Sequence, residues 1–431
     1  IEKATQATNN DTNFQMIRSE LMNIAEPTYK DLLHAARKGL RILTQYEHPI
    51  KAEIRTWKDQ LTEQLNPKFS SHLYSQSDTR LGNIESVPLE YADKEEWVDG
   101  RIIIRDNFDA LLESNDKLLL FGEDVGKIGD VNQGLEGMQA KYGATRVADT
   151  GIREATIMGQ GIGMALRGLR PIAEIQYLDY ILYCLPTLSD DLASYHYRTA
   201  GKQAVPLIIR TRGHRLEGIW HSGSPMGGIV NLLRGINIAV PRNMTQAAGM
   251  YNTLLEGDEP AIVVESLNGY RLKERKPLNL GKFRIPLGKI EILKEGADIT
   301  LVSYGSTLRM VEAVAKELMH FDIDAEVIDI QTLLPFDLDH GIQKSLTKTN
   351  RLLIVDEDVP GGASAYILQQ LIDLQNIFPL LDSTPHTLSA KPHRPAYGSD
   401  GDYFSKPSED DIFEKVYAIM HESNPEAFPQ I

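Results

Sequence analysis

Two regimes of hydrophobic patterning divide the chain. From about Gly100 onward, short apolar runs alternate with amphipathic segments. The runs Leu118 to Phe121, Arg146 to Asp149, Pro171 to Gln176, Val205 to Thr211, Ile236 to Val240 and Ala261 to Glu265 predict strands, and helical periodicity falls at 152–167, 178–198 and 245–256. A second alternating block predicts strands at Ile299 to Tyr304, Ala325 to Ile330 and Arg351 to Asp356, with helices at 307–319, 338–346 and 363–374. An amphipathic helix near Glu409 to Met420 closes the chain. Alternation of this kind implies an α/β fold whose parallel sheets carry helices on both faces.

Residues 1–95 read differently, being polar and rich in Gln, Asn, Thr and Ser, with helical patterns and no strand signal. Leu32, Leu33, Ala36, Leu40 and Leu43 share a helix face, predicting a helix over 27–46 with Pro27 in its first turn. A second helix is expected from Pro49 to Leu65, stopped by Asn66-Pro67, and 70–95 reads as an irregular linker. Order and disorder are equally expected at the start of this segment. The resulting division is a helical connector (1–95), an α/β domain (96–275), a turn-rich basic linker (276–290) and a second α/β domain (291–431).

At 431 residues and 42% hydrophobic, the chain can bury two or three cores. A formal net charge of −15 argues against nucleic acid, which needs a basic face, and favours a basic protein partner. No run approaches the roughly 20 apolar residues of a membrane span, so no membrane role is expected. The single cysteine, Cys184, forms no internal disulfide and reads as a small core residue. The default location is a bacterial cytoplasm ahead of a mitochondrial matrix. The first residue is Ile1 rather than methionine, which leaves room for a preceding part.

Chemistry-bearing residue types concentrate between Arg146 and Tyr180. Glu154 opens the predicted helix, where an acid is favoured by the helix dipole whatever else it does. Gly159, Gly161 and Gly163 lie inside that helix, so they are no dinucleotide fingerprint; Gly159 and Gly163, four apart, read as a close-packing face. Tyr177 and Tyr180 follow the end of a strand, where ligands gather in open α/β sheets. A long polar loop, GHRLEGIWHSGSP at 213–225, carries His214 and His221. Neither these nor His393 has zinc-ligand spacing.

The motifs FGEDVG at 121–126, RVADTGIRE at 146–154, GLRPIAEIQYLDY at 168–180, WHSGSP at 220–225 and VIDIQTLLPFD at 327–337 together carry a family resemblance. From Gly100 onward the chain resembles the beta subunit of the decarboxylating first component of 2-oxoacid dehydrogenase complexes, thiamine diphosphate enzymes of the transketolase superfamily. The resemblance implies a pyrimidine-binding domain followed by a transketolase C-terminal-like domain. It implies that Glu154 hydrogen-bonds the aminopyrimidine ring nitrogen, that Tyr180, with Tyr177 beside it, lines the same ring, and that His221 assists substrate-derived groups and transfer to a lipoyl domain. IQYLDY and HSGSP look closer to the branched-chain type than to the pyruvate type.

Two departures qualify the carry-over. Many relatives read HSQSPE where this chain has HSGSPM, which removes polar neighbours of His221. Gly257 and Glu259 replace the usual polar ligands of a structural potassium site, so no metal is assigned. The GDG motif that holds magnesium and diphosphate is missing; Asp400-Gly401-Asp402 lacks its context. The implied partners are therefore an alpha-type diphosphate-binding subunit, or such a domain fused upstream, in a dimer or heterotetramer, together with a lipoyl acyltransferase core. The alternatives are ketol transfer by another enzyme of the superfamily, or a catalytically incomplete assembly module.

Overall fold

The computed structural model of the chain describes residues 1–8, 11–213 and 224–431. His214 and His221 lie outside the described residues. Two compact units, Ile1–His72 and Leu73–Ile431, account for the chain.

The first unit is helical, with helices Glu2–Ala7, Thr12–Met22, Tyr29–Ile42 and Ile50–Phe69 around a small core of Ala4, Phe14, Leu43 and Ile50. Thr28 and Asp31 form a capping box that fixes where the third helix starts. The expected stop at Asn66-Pro67 does not occur, because Pro67 lies in the last turn of a helix that runs to Phe69. A proline there removes one hydrogen bond near an end that already frays, which is a small cost.

The second unit holds the strands. In chain order they are β1 (Trp97–Asp99), β2 (Leu118–Gly122), β3 (Val147–Asp149), β4 (Arg170–Tyr177), β5 (Ile208–Gly213), β6 (Asn237–Ala239) and β7 (Ala261–Ser266). They continue with β8 (Lys273–Arg275), β9 (Glu291–Lys294), β10 (Ile299–Ser303), β11 (Ala325–Asp329), β12 (Thr332–Leu334), β13 (Leu352–Val355) and β14 (His386–Leu388). A seven-stranded sheet has the order β12-β6-β7-β5-β4-β2-β3, parallel throughout except for β12, which pairs antiparallel with β6. A five-stranded sheet has the order β14-β13-β10-β11-β9, again parallel except at one edge, β9. Helices cover both faces of the sheets, so the central strands are mostly apolar, with buried charges such as Glu174, Arg210 and Glu265 as the exceptions.

Helices Gly100–Ser114 and Met244–Glu256 cover one face of the large sheet through a core that includes Phe108, Met250 and Tyr251. On the other face, Ile157, Ile162, Leu188 and Ile229 meet Val302, Ile328, Ile354 and Ile367 in one continuous core. That core runs from the large sheet into the smaller one, so the two α/β blocks share hydrophobic contacts. The far side of the small sheet is closed by helices Leu308–Leu318 and Glu409–Ser423. The irregular stretch after Leu73 is held by two acids: Glu259 accepts from the Ser75 and Leu81 N–H groups, and Asp258 from the Ser75 and Ser77 hydroxyls.

Candidate active site

Three parallel strands end side by side, and the chain leaving each carries a chemistry-bearing residue. β2 ends at Gly122, where a Cβ would stand 2.8 Å from the Glu174 backbone oxygen; only glycine allows this approach, and Glu123 follows directly. β3 ends at Asp149, whose carboxylate accepts from the Gly126 and Lys127 N–H groups at 2.7 and 3.0 Å, tying the loop after β2 to this edge. Four residues further on, Arg153 caps the helix Glu154–Leu166, and Glu154 occupies its first position, half-buried. β4 ends at Tyr177 after a register shift between Ile175 and Tyr177.

Tyr180 stands edge-on to Tyr177, with ring centroids 5.7 Å apart at 85°, and 6.1 Å from the Tyr183 ring. Burial, then Asp179, Tyr177 and Glu123, raise the Tyr180 hydroxyl above its ordinary pKa. Burial, then Asp124 and Glu154, likewise hold the Glu123 carboxyl above the usual carboxylate range. The buried Cys184 thiol is pushed up to about 12 by burial and by Glu154. Glu123, Glu154 and the Tyr177–Tyr180 pair thus lie at or beyond the carboxyl ends of β2, β3 and β4, which are neighbours in the sheet, the place where open α/β sheets bind ligands. Beside this corner a cleft of about 430 Å³ is lined by Asp179 and Leu182, which flank Tyr180, and by Ser224, Asp358, His393 and Lys406.

Behind the corner lies a fully buried ionic cluster. Arg210 and Arg212, two apart on β5 and so on one face, meet three carboxylates. Arg210 donates to Asp130 at 2.8 Å and to Glu265 at 2.9 Å, and Arg212 to Glu174 at 2.8 Å and to the Tyr270 hydroxyl at 3.0 Å. Burial alone would raise Asp130, but Arg212 and Arg210 outweigh it and hold its carboxyl low; for Glu174 burial wins and its pKa is raised. Arg212 also donates to the Gln176 carbonyl at 3.3 Å, beside the register shift that sets the direction of Tyr177. The sequence signal for this cluster was present and unread: Arg210 and Arg212 interrupt a strand whose other residues are apolar or small, and charge in a strand covered on both faces requires partners.

The helix glycines divide otherwise than expected. Gly161 is the one packed within the chain, since a Cβ there would lie 2.7 Å from Leu207 Cδ1. Gly159 and Gly163 meet no neighbour within 4 Å and leave an exposed face on the helix.

The fold and its acid-and-aromatic corner define a two-part transketolase-type protein. Residues 98–273 match the transketolase pyrimidine binding domain and residues 288–402 the transketolase C-terminal domain. The chain is 32% identical over 279 residues to the pyruvate dehydrogenase E1 component subunit beta of Acholeplasma laidlawii, covering 64% of this chain and 84% of that protein. It is 34% identical over 271 residues to the 2-oxoisovalerate dehydrogenase subunit beta of Pseudomonas aeruginosa, covering 59% and 76%. An acetoin:2,6-dichlorophenolindophenol oxidoreductase subunit beta of Bacillus subtilis is 33% identical over 297 residues, covering 66% and 85%. Among solved structures, a split-gene transketolase described as an inactive beta4 tetramer shares the fold, with a TM-score of 0.60 at 18% identity, covering 75% of this chain and 98% of that one. The chain belongs to the E1 beta-subunit family of the 2-oxoacid dehydrogenases, within the transketolase superfamily.

Proposed function

We propose that the chain is the beta-type half of a thiamine diphosphate-dependent 2-oxoacid dehydrogenase, acting in the cytoplasm on a branched-chain 2-oxoacid or pyruvate and passing the acyl group to a lipoyl domain. The observation that carries this reading is the convergence of Glu123, Glu154 and Tyr180 at the ends of β2, β3 and β4. The donor set fits an aminopyrimidine: a carboxylate at a helix start for a weakly basic ring nitrogen, and tyrosine rings for its faces or edges. The sequence carries no GDG motif of the kind that holds magnesium and diphosphate, so these residues are assigned the pyrimidine end of the cofactor alone.

Thiamine diphosphate, when bound, supplies the nucleophilic carbon and the electron sink for decarboxylation. Glu154 holds and returns a proton at the ring nitrogen. Tyr180, with Tyr177 braced against it, fixes the ring's orientation. Ile181 and Cys184, buried in the turns that follow Tyr180, help to keep water from this end of the site. The cleft beside Tyr180 receives the 2-oxoacid, and His221, assigned by resemblance alone, serves the acyl group and its transfer to the lipoyl thiol.

Magnesium and the diphosphate are then held by an alpha-type partner, as a separate subunit or a fused domain. The exposed face of helix Glu154–Leu166, with Gly159, Gly163 and the 72%-exposed Ile152, supports a close approach by a second subunit. The test is reconstitution with an alpha-type subunit, measuring reductive acylation of a lipoyl domain for pyruvate and for branched-chain 2-oxoacids. Turnover by this chain alone, with thiamine diphosphate and magnesium, would overturn the division of the site.

A further inference from the structure

A second cleft, of about 660 Å³, lies where the two matched regions meet, and none of Glu123, Glu154, Tyr177 or Tyr180 lines it. Tyr91, Trp97 and Lys273 border it from one side, and Ile290, Glu291 and Gln331 from the other. Its volume is that of a small-molecule site.

The lining of this cleft is rich in cations. Its walls carry four cations, Arg242, Lys273, Arg275 and Arg284, against two carboxylates, in a protein of net charge −15, and Lys273 also pairs with Asp99 at 2.8 Å. Both carboxylates are already engaged. Glu274 accepts from the Met244 and Thr245 N–H groups at 2.9 and 2.8 Å, and Glu291 accepts from Arg242 at 2.7 Å. Arg242 is further matched by Asp329, also at 2.7 Å.

Arg275 and Arg284 have no carboxylate this close, although Arg275 donates to the Ala92 carbonyl at 2.7 Å. Their ion pairs, to Glu95 and Glu256, are 3.6 and 3.9 Å long, well beyond charge-assisted hydrogen bonds of roughly 2.7–2.9 Å. Each also has a buried Nε–H with no acceptor among the described residues. Arg275 lies 4.5 Å over the Tyr91 ring, presenting a flat cation of the kind that stacks on heteroaromatic rings. Trp97, 57% exposed, adds an indole at the rim, and Val87, Pro88 and Pro286 give the cleft an apolar side. Under-matched guanidinium groups call for a phosphate, whereas a planar cation, an indole and an apolar side call for a ring.

We propose that this cleft binds a nucleoside phosphate, with its phosphate on Arg284, Arg275 and Lys273 and its base against the Arg275 guanidinium and Trp97. Because Arg242 on the same wall joins the chain after β6 to Glu291 and Asp329, an occupant bears on the junction between the two matched regions. The site is separate from the thiamine corner and does not depend on the catalytic assignment.

Calorimetric titration of the full chain with ADP, without thiamine diphosphate or magnesium, is expected to show saturable one-site binding and a raised Tm. Inorganic phosphate is expected to bind at least tenfold more weakly. Arg284→Gln should weaken ADP about tenfold, while Lys348→Gln, outside the cleft, should leave it unchanged. If Arg284→Gln fails to fold by circular dichroism, Lys273→Gln at a 64%-exposed side chain takes its place, with the same expectation. Absence of saturable ADP binding, equal binding of inorganic phosphate, competition by thiamine diphosphate, or indifference of ADP to the substituted arginine or lysine each overturns the proposal.

Discussion

The Asp358 carboxylate accepts a hydrogen bond from the Gly227 N–H at 3.0 Å, joining the loop after β13 to the start of helix Met226–Leu232. The same carboxylate accepts from Val359 and Ala363 N–H groups, and a Cβ at Gly227 would lie 2.6 Å from Gly362 Cα. The backbones of the two matched regions therefore touch here.

Asp358 sets a pH dependence. Burial, then Asp356, pushes its carboxyl up to about 6 from an ordinary 3.8, despite the three N–H donors. A folded pKa above the unfolded one means that the folded chain binds the proton more tightly. The stability from this group is complete below about pH 4 and lost as pH rises through about 6. A shift of about two units corresponds to on the order of 3 kcal/mol. Urea unfolding at pH 4.5 and pH 7 should show a difference that Asp358→Asn reduces; an unchanged difference in the variant would refute the linkage.

Glu154→Gln keeps the size and removes the proton-carrying group. Turnover of the reconstituted enzyme is expected to fall by about 10²–10⁴-fold, with far-UV circular dichroism and Tm of the chain unchanged. Retained turnover would release Glu154 from its proposed role and leave it as a helix-start acid.

The ionic cluster should be far more sensitive to losing one member than its distance from solvent suggests. Arg210→Met leaves Asp130, Glu174 and Glu265 without their shared cation, and urea unfolding should report about 3–5 kcal/mol of destabilisation. A loss below 1 kcal/mol would mean that Arg212 alone compensates the three acids.

The helix glycines separate packing from assembly. Gly161→Val should cost about 1–3 kcal/mol by forcing Leu207 aside. Gly159→Ala and Gly163→Ala, placed in open space, should each stabilise the isolated chain by up to about 1 kcal/mol. The same two substitutions should weaken association with the alpha-type partner, measured by analytical ultracentrifugation. Unimpaired association would remove this helix from the interface.

The strand order was hidden from the sequence, but the strands of the parallel sheets were largely legible, because they contain apolar runs such as Leu352–Val355 and 261–264. Several short elements were not. β1, β8, β12 and β14 are three residues each, and their pairing is decided by distant partners rather than by local pattern. Helix Gly100–Ser114 went unread because its Ile102-Ile103-Ile104 run looks strand-like until Phe108, Leu111 and Leu112 complete the helical face. At the proposed site, Glu154 and Tyr180 are assigned through motif resemblance. Glu123 is not, since nothing local distinguishes it from Asp124 beside it; its distinction is proximity to Glu154 across two strand ends.

β12 has a further consequence for anyone dividing this protein. Thr332 and Leu334 form the outermost ladder of the large sheet, yet they come from beyond the basic linker, more than 50 residues after β8. A fragment ending near Leu280 would present β6 as a bare hydrogen-bonding rim, flanked by Val240 and Ile236 with their covering contacts gone. Such a truncation should self-associate and precipitate when expressed alone, whereas a cut in the segment before Leu73 leaves every strand with its neighbours.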